Sequence, residues 1–116
     1  MSFTKYAEVT DLQELTCLLA VKVFGYDEMW IERHKDTSSL PEYFEAKKDE
    51  LFQKQIDNRI SLTAMQRWNG NEYEDSQYWS ADYNVGGETY ISDTDADPFV
   101  AIARVLLGLA DEGYLQ

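Results

Sequence analysis

The fold is decided by residues 78–107, which read YWSADYNVGGETYISDTDADPFVAIARVLL. Two runs rich in aromatic residues flank Asn84–Gly87, so we predict two strands joined by a tight turn. Asp97 followed by Pro98 predicts a helix start, because a carboxylate caps free backbone N–H groups and proline suits the first helical position. The apolar residues that follow recur at helical spacing and predict one buried face. They are Phe99, Ile102, Val105, Leu106 and Leu109.

Another helix is predicted near the beginning of the chain. Thr10-Asp-Leu-Gln13 resembles a capping box, which predicts a helix from Asp11 to Phe24 that ends at Gly25. A helix this apolar is expected to be covered on more than one side. Its apolar stripe is Leu12, Leu15, Leu19 and Val23, widened by Leu18, Val21 and Phe24.

The middle of the chain is more polar. Residues 26–34 favour either a short strand or an extended connection, and residues 35–39 favour a polar loop. Ser39-Leu-Pro-Glu42 is a further capping box and predicts an amphipathic surface helix from Leu40 to about Asn58. Its apolar line is Phe44, Leu51 and Gln55, with Tyr43, Phe52 and Ile56 beside it.

Residues 59–68 fit two patterns. Ile60, Leu62 and Ala64 alternate as in a strand, whereas Leu62, Met65 and Trp68 share a helical spacing. The strand is favoured because it completes a three-stranded sheet with the following hairpin. Residues 69–71 are predicted to be a turn, residues 72–77 an acidic loop, and Gly113 the end of the last helix.

These elements predict a single α+β domain over residues 1–116, with a small antiparallel sheet of about three strands packed with about three helices. There is no run of eighteen apolar residues and no apolar segment like that of a signal peptide near Met1, so neither a membrane span nor secretion is expected. The single cysteine excludes an internal disulfide and fits a reducing cytoplasm.

The net charge is −12, and it is unevenly distributed. Residues 70–116 contain ten acidic residues and one basic residue, Arg104, whereas the first 69 residues contain twelve acidic and nine basic residues. Such a field repels nucleic acids and bilayer surfaces and attracts basic proteins. The alternative interpretation is that the acidity only keeps the protein soluble.

No catalytic or metal-binding set is recognisable, so we expect neither enzymatic activity nor a cofactor. The alternating carboxylates of residues 93–97 are those of a calcium loop, but Pro98 and Arg104 stand where that loop needs glycine and glutamate. Cys17 and His34 are the only residues of their kinds, too few for a zinc site. Cys17 is expected to be a core residue and His34 an exposed one.

Five aromatic residues share one stretch with five carboxylates. They are Tyr73, Tyr78, Trp79, Tyr83 and Tyr90, among Glu72, Glu74, Asp75, Asp82 and Glu88. Binding of single-stranded nucleic acid needs a basic groove, which is lacking here. Rings beside carboxylates suit an interface with a basic protein. The alternative is that alternate rings form the core, which we expect for Tyr78 and Tyr90.

Two short stretches resemble the phage α/β/α (ABA) sandwich domain family. Leu18-Leu-Ala-Val-Lys-Val-Phe-Gly-Tyr26 is similar to the end of that family's first helix, with Lys22, Gly25 and Tyr26 at the pattern positions. The stretch from Tyr90 to Ala103 resembles its second signature, a strand end followed by Ser-x-Thr-Asp and an Ala-rich helix, with Ser92, Thr94 and Asp95 at the pattern positions. The resemblance implies a phage origin and no assigned chemistry.

By size and acidity the chain also resembles phage anti-CRISPR proteins and other DNA-mimic inhibitors. These resemblances imply an inhibitor in the cytoplasm of a bacterial host. Its expected partner is a basic protein or nucleoprotein complex, such as a CRISPR effector. The carboxylates expected to replace phosphates there are Glu72, Glu74, Asp75, Asp82, Asp93 and Asp95. The alternative is a phage accessory or structural module with no defence role.

Overall fold

The structure is a computed structural model that describes residues 2–3, 6–9, 11–29, 33 and 45–116. The side chains of Ser2, Phe3, Leu12 and Asp75 are not described. The loop predicted at residues 35–39, the capping box from Ser39 and the side chain of His34 lie outside the described residues. In chain order the elements are β1 (Ser2–Phe3), α1 (Leu12–Lys22), α2 (Lys48–Asp57), β2 (Ile60–Trp68), β3 (Tyr73–Val85), β4 (Glu88–Asp95) and α3 (Pro98–Glu112).

The strands form one sheet in the order β1-β4-β3-β2. The three longer strands are antiparallel neighbours, so that Ala81 lies between Leu62 on one side and Asp93 on the other. β1 adds a parallel edge, where Ser2 lies beside Ile91. The predicted α+β class is therefore confirmed, with four strands instead of three. Two residues are too few to show the alternation that identifies a strand, which is why β1 was not predicted.

β3 and β4 form the predicted hairpin. Val85 pairs with Glu88, which leaves Gly86 and Gly87 as the two loop residues. Their φ angles are 60° and 84°. A two-residue turn of this kind needs positive φ at both positions, which glycine adopts without steric cost. The local sequence is therefore sufficient to explain the turn.

α3 lies across the sheet and supplies much of the core. The Asp97 carboxylate caps it by accepting a hydrogen bond of 2.9 Å from the backbone N–H of Phe99, and Gly113 ends it in the left-handed conformation. All side chains from Ala101 to Leu107 are buried, because strands cover one side of the helix while α1 and α2 pack on others. Of the predicted apolar face, only Phe99 is half-buried.

The two remaining helices pack against α3. Asp11 caps α1, and its carboxylate accepts a hydrogen bond of 3.0 Å from the backbone N–H of Gln13. The predicted stripe is confirmed at its described positions, since Leu15, Leu19 and Val23 are buried.

α2 begins at Lys48, and a turn at Lys47 separates it from residues 45 and 46, which are also helical. The predicted helix from Leu40 to about Asn58 is therefore confirmed over residues 48–57 but interrupted at Lys47, and residues 40–44 lie outside the described residues. The Lys47 ammonium lies 5.5 Å from the ring centroid of Phe24, a tertiary contact that local helical spacing does not reveal. Of the predicted apolar line, Leu51 is fully buried, whereas Phe52 and Ile56 are exposed.

Two further predictions differ from the structure, one for the segment after α1 and one for the segment after β2. In the segment 26–34, residues 26 and 27 are in neither helix nor strand and residues 28, 29 and 33 are helical, so the short strand considered there is wrong at the described positions; residues 30–32 and 34 lie outside them. Residues 60–68 are a strand, as favoured, but the acidic loop predicted at residues 72–77 is mostly part of β3. There β2 supplies a partner strand, and cross-strand pairing overrides the weak strand preference of acidic residues.

Candidate partner-binding surface

The predicted carboxylates occupy three separate places. Glu72, Glu74 and Asp75 lie at the far end of the β2–β3 hairpin, Asp82 lies in the middle of β3, and Asp93 and Asp95 end β4. Glu74 and Asp82 are eight residues apart on one strand, which separates them by roughly 25 Å. The expected carboxylates therefore do not form one continuous surface.

Asp93 and Asp95 belong to an internal ion network. The Arg104 guanidinium of α3 donates from Nη1 to Asp93 at 3.1 Å and to Asp95 at 3.2 Å, and from Nη2 to the Val9 carbonyl at 2.9 Å. Asp93 is 1% exposed and Arg104 is 3% exposed. The expectation that Asp93 contacts a partner is therefore wrong, because its carboxylate points to α3. Asp95 is partly exposed, but its charge is compensated by the same guanidinium.

Asp82 lies between Ser61 and Ser92 on the neighbouring strands. It is half-buried, and its carboxylate accepts a hydrogen bond of 3.0 Å from the Ser80 hydroxyl. Ala81, the next residue, is buried on the face that carries the helices. Because successive side chains of a strand alternate, Asp82 lies on the opposite face of the sheet.

The far end of the β2–β3 hairpin extends beyond the rest of the sheet. β4 ends at Asp95, which pairs with Trp79, and Trp79 also pairs with Ala64 of β2. Beyond that point, in the described part of the chain, residues 66–68 of β2 pair only with residues 73–75 of β3, and we call residues 65–78 the β2–β3 arm. None of its described side chains is buried. The Cα radius of gyration, 14.9 Å, exceeds the roughly 13 Å expected of a compact domain of this length.

The arm carries an excess of negative charge. Glu72, Glu74 and Asp75 oppose one basic residue, Arg67. The Arg67 guanidinium donates to the Glu74 carboxylate across the strands. Glu72 is exposed at the turn. The side-chain oxygen of Asn69 stabilises the backbone of this turn by accepting hydrogen bonds from the backbone N–H groups of Asn71 and Glu72.

Exposed aromatic rings accompany these charges. Trp68 and Tyr73 are cross-strand partners with ring centroids 5.2 Å apart, and they are 58% and 68% exposed. Tyr78, at the base of the arm, is also exposed and borders a shallow depression with Arg67, Ser76 and Gln77. The aromatic residues of the segment 68–78 are the feature of the sequence that indicates an interaction surface on the β2–β3 arm. Trp68 was not among the predicted interface residues, although the strand favoured for residues 59–68 is confirmed.

The prediction that Tyr78 and Tyr90 are core residues is wrong. Strand alternation places Trp79, Ala81 and Tyr83 on the face of the sheet that carries the helices, so Tyr78 lies on the opposite face. Tyr90 lies beside the irregularity in the β3–β4 register at Tyr83/Asn84. Its ring packs against that of Tyr114, with 5.7 Å between the ring centroids. Both rings are therefore on the surface.

Two of the other four acidic residues of residues 70–116 have structural roles. Asp97 caps α3, and Asp111 accepts hydrogen bonds from the Tyr6 hydroxyl and from the Lys22 ammonium, the latter at 2.9 Å. Lys22 also donates to the Tyr6 hydroxyl at 2.8 Å. The bonds to Tyr6 and Asp111 raise the pKa of Lys22 above its usual range. This cluster joins the segment before α1 to the ends of α1 and α3.

No group of three potential metal ligands converges anywhere in the described part of the chain. Cys17 was predicted to be a core residue, but it is only half-buried on α1. His34 lies outside the described residues. None of the helices described is long and apolar enough to cross a bilayer.

Neither a protein-family model nor a curated protein nor a solved structure matches the chain.

Proposed function

We propose that this chain is a small acidic, phage-type binding protein that inhibits a host defence complex by occupying its basic, nucleic-acid-binding surface. The observation that carries the proposal is the β2–β3 arm, where Glu72, Glu74 and Asp75 lie within four residues on a projecting ribbon against the single cation Arg67. A CRISPR effector is one complex of this kind. The contact forms through the arm, and Asp93 takes no part in it.

Electrostatics gives this interaction its character. A net charge of −12 accelerates encounter with a basic surface, and charges at the rim of an interface act mainly on the association rate. Because salt screens exposed charges beyond about 8 Å at physiological ionic strength, binding weakens as the salt concentration rises. Carboxylates on a protruding arm can enter a groove that a flat surface does not reach.

A second candidate function follows from the internal pairing. Because Asp93 and Asp95 are compensated by Arg104, and Asp111 by Lys22, part of the C-terminal acidity holds the fold together. This favours an accessory or structural phage module, in which the remaining acidity keeps the protein soluble. Such a module has no affinity for basic nucleoprotein complexes.

Competition for a defence complex separates the two candidates. Purified CRISPR effectors of several types are mixed with labelled target DNA and increasing amounts of the chain, at low and at physiological salt, and DNA binding is followed by mobility shift. The test variant carries Glu72→Gln, Glu74→Gln and Asp75→Asn. A matched control, with Glu14→Gln, Glu88→Gln and Glu112→Gln, removes the same charge from exposed positions outside the arm.

The proposal predicts that the chain displaces DNA from one effector type, that the arm variant fails to do so, and that the control retains most of the effect. Equal weakening by both variants would mean that only total charge matters, and it would remove the arm from the proposal. Absence of competition with every effector at low salt would favour the accessory module.

A further inference from the structure

The end of the β2–β3 arm combines two features that attract the same kind of group. Trp68 and Tyr73 form a cross-strand ring pair with an interplanar angle of 62°, and both rings are more than half exposed. Glu72 adds an exposed carboxylate at the adjoining turn. Contiguous exposed aromatic surface on a protein commonly marks an interaction site, and rings at the centre of interfaces carry much of the binding energy.

Ring faces and carboxylates both favour a cation, and they favour arginine over lysine. The face of an indole or phenol ring is negative and attracts a cation placed over it. A guanidinium is planar and weakly hydrated, so it can stack on a ring while its N–H groups donate to a carboxylate. An ammonium is a strongly hydrated point charge that gains less from stacking. Arg67 and Glu74 already form one guanidinium–carboxylate pair on the same ribbon.

We propose that the tip of the arm, formed by Trp68, Tyr73 and Glu72, recognises arginine side chains of the partner protein. This inference rests on the proposed function, because it assumes that the arm is the part that meets a basic surface. It adds that the partner presents arginine there. Arginine binds phosphate groups through bidentate hydrogen bonds, so nucleic-acid-binding surfaces contain exposed arginine side chains. Simple charge mimicry does not discriminate between arginine and lysine, whereas stacking on this ring pair does.

Two labelled peptides of equal length and charge, one of alternating Arg and Gly and one of alternating Lys and Gly, serve as probes for the full chain. Affinities are measured by fluorescence anisotropy at low salt. We expect the arginine peptide to bind about two- to fivefold more tightly, the range that one exposed cation–π contact supports. Trp68→Ala and Trp68→Leu should both abolish the preference, because leucine keeps apolar bulk without a ring.

Phe52→Ala is the matched control, since Phe52 is an exposed ring outside the arm and its loss should leave the preference unchanged. Because Trp68 is exposed, both Trp68 variants should keep the circular dichroism spectrum and melting temperature of the unsubstituted chain. A preference that survives in Trp68→Leu would overturn the inference, and so would equal affinity for the two peptides. A dimer of the free chain that Trp68→Ala dissociates would instead assign the ring pair to a second copy.

The failure of this inference differs from a failure of the proposed function. Equal affinity for both peptides, lost in the variant with Glu72→Gln, Glu74→Gln and Asp75→Asn, would remove arginine recognition and leave the charge-based contact intact. Affinity that is unchanged in that variant would contradict the arm as the acidic contact, whichever peptide binds better.

Discussion

Replacing Arg104 with methionine should strongly destabilise the interface between the sheet and α3. The substitution keeps much of the side-chain length but removes the guanidinium that lies 3.1 Å from the buried Asp93 carboxylate. At that distance two unit charges attract by about 5 kcal/mol with an effective dielectric constant near 20. Loss of one partner from a buried ion pair costs about 3–5 kcal/mol, because the buried carboxylate keeps its desolvation cost but loses the attraction of the guanidinium. Asp95 adds less, since it is partly exposed.

The assay is urea unfolding followed by circular dichroism, with the free energy of unfolding taken from the linear dependence on urea. The expected loss for Arg104→Met is about 3–5 kcal/mol. Combining it with Asp93→Val removes both charges, so the double variant should be more stable than Arg104→Met alone by at least about 1 kcal/mol. A loss below about 1 kcal/mol for the single variant, or a double variant no more stable than the single one, would refute this account of the core.

Three further predictions concern the ends of α1 and α3 and the arm. Asp97→Ala should lower the free energy of unfolding by about 1 kcal/mol in urea titrations, because the backbone N–H of Phe99 loses its acceptor; Asp97→Ser, which can also cap, should restore most of it. The raised pKa of Lys22, caused by its bonds to Tyr6 and Asp111, means that its contribution to stability is complete below about pH 10 and is lost as the pH rises through the higher pKa of the folded state. Thermal melts should therefore show a steeper alkaline loss of stability in the unsubstituted chain than in Lys22→Met, and parallel pH profiles would contradict this. Amide hydrogens of residues 65–78 should exchange much faster than those of residues 79–95, because a two-stranded ribbon without a buried face is marginally stable; equal protection by mass spectrometry would mean that the arm is held by contacts beyond the hairpin.

A shortened chain tests whether the arm is independent of the fold. Ala64 and Trp79 are cross-strand partners, so residues 65–78 can be replaced by an Asn-Gly turn, just as Gly86 and Gly87 join Val85 to Glu88. Because no described side chain of the arm is buried, we expect a melting temperature within a few degrees of that of the full chain, with competition for the partner abolished. Unfolding of the shortened chain would show that the arm supports the sheet.

Local chemistry by itself determined much of the fold. Gly86-Gly87 specifies a two-residue turn, Asp97-Pro98 starts α3, and Gly113 ends it, because each depends on backbone conformation or on a hydrogen bond within a few residues. The α+β class followed from these signals and from the spacing of apolar residues.

The tertiary structure decided the rest, because the responsible contacts join residues far apart in the chain. Only packing of α3 on β4 shows that Asp93 pairs with Arg104 and not with a partner, since in the sequence a buried carboxylate is indistinguishable from an exposed one. Likewise, residues 73–77 become a strand only because β2 pairs with them. Trp68 became a surface residue because β3 extends beyond the end of β4, and none of the helices described covers the end of the β2–β3 hairpin.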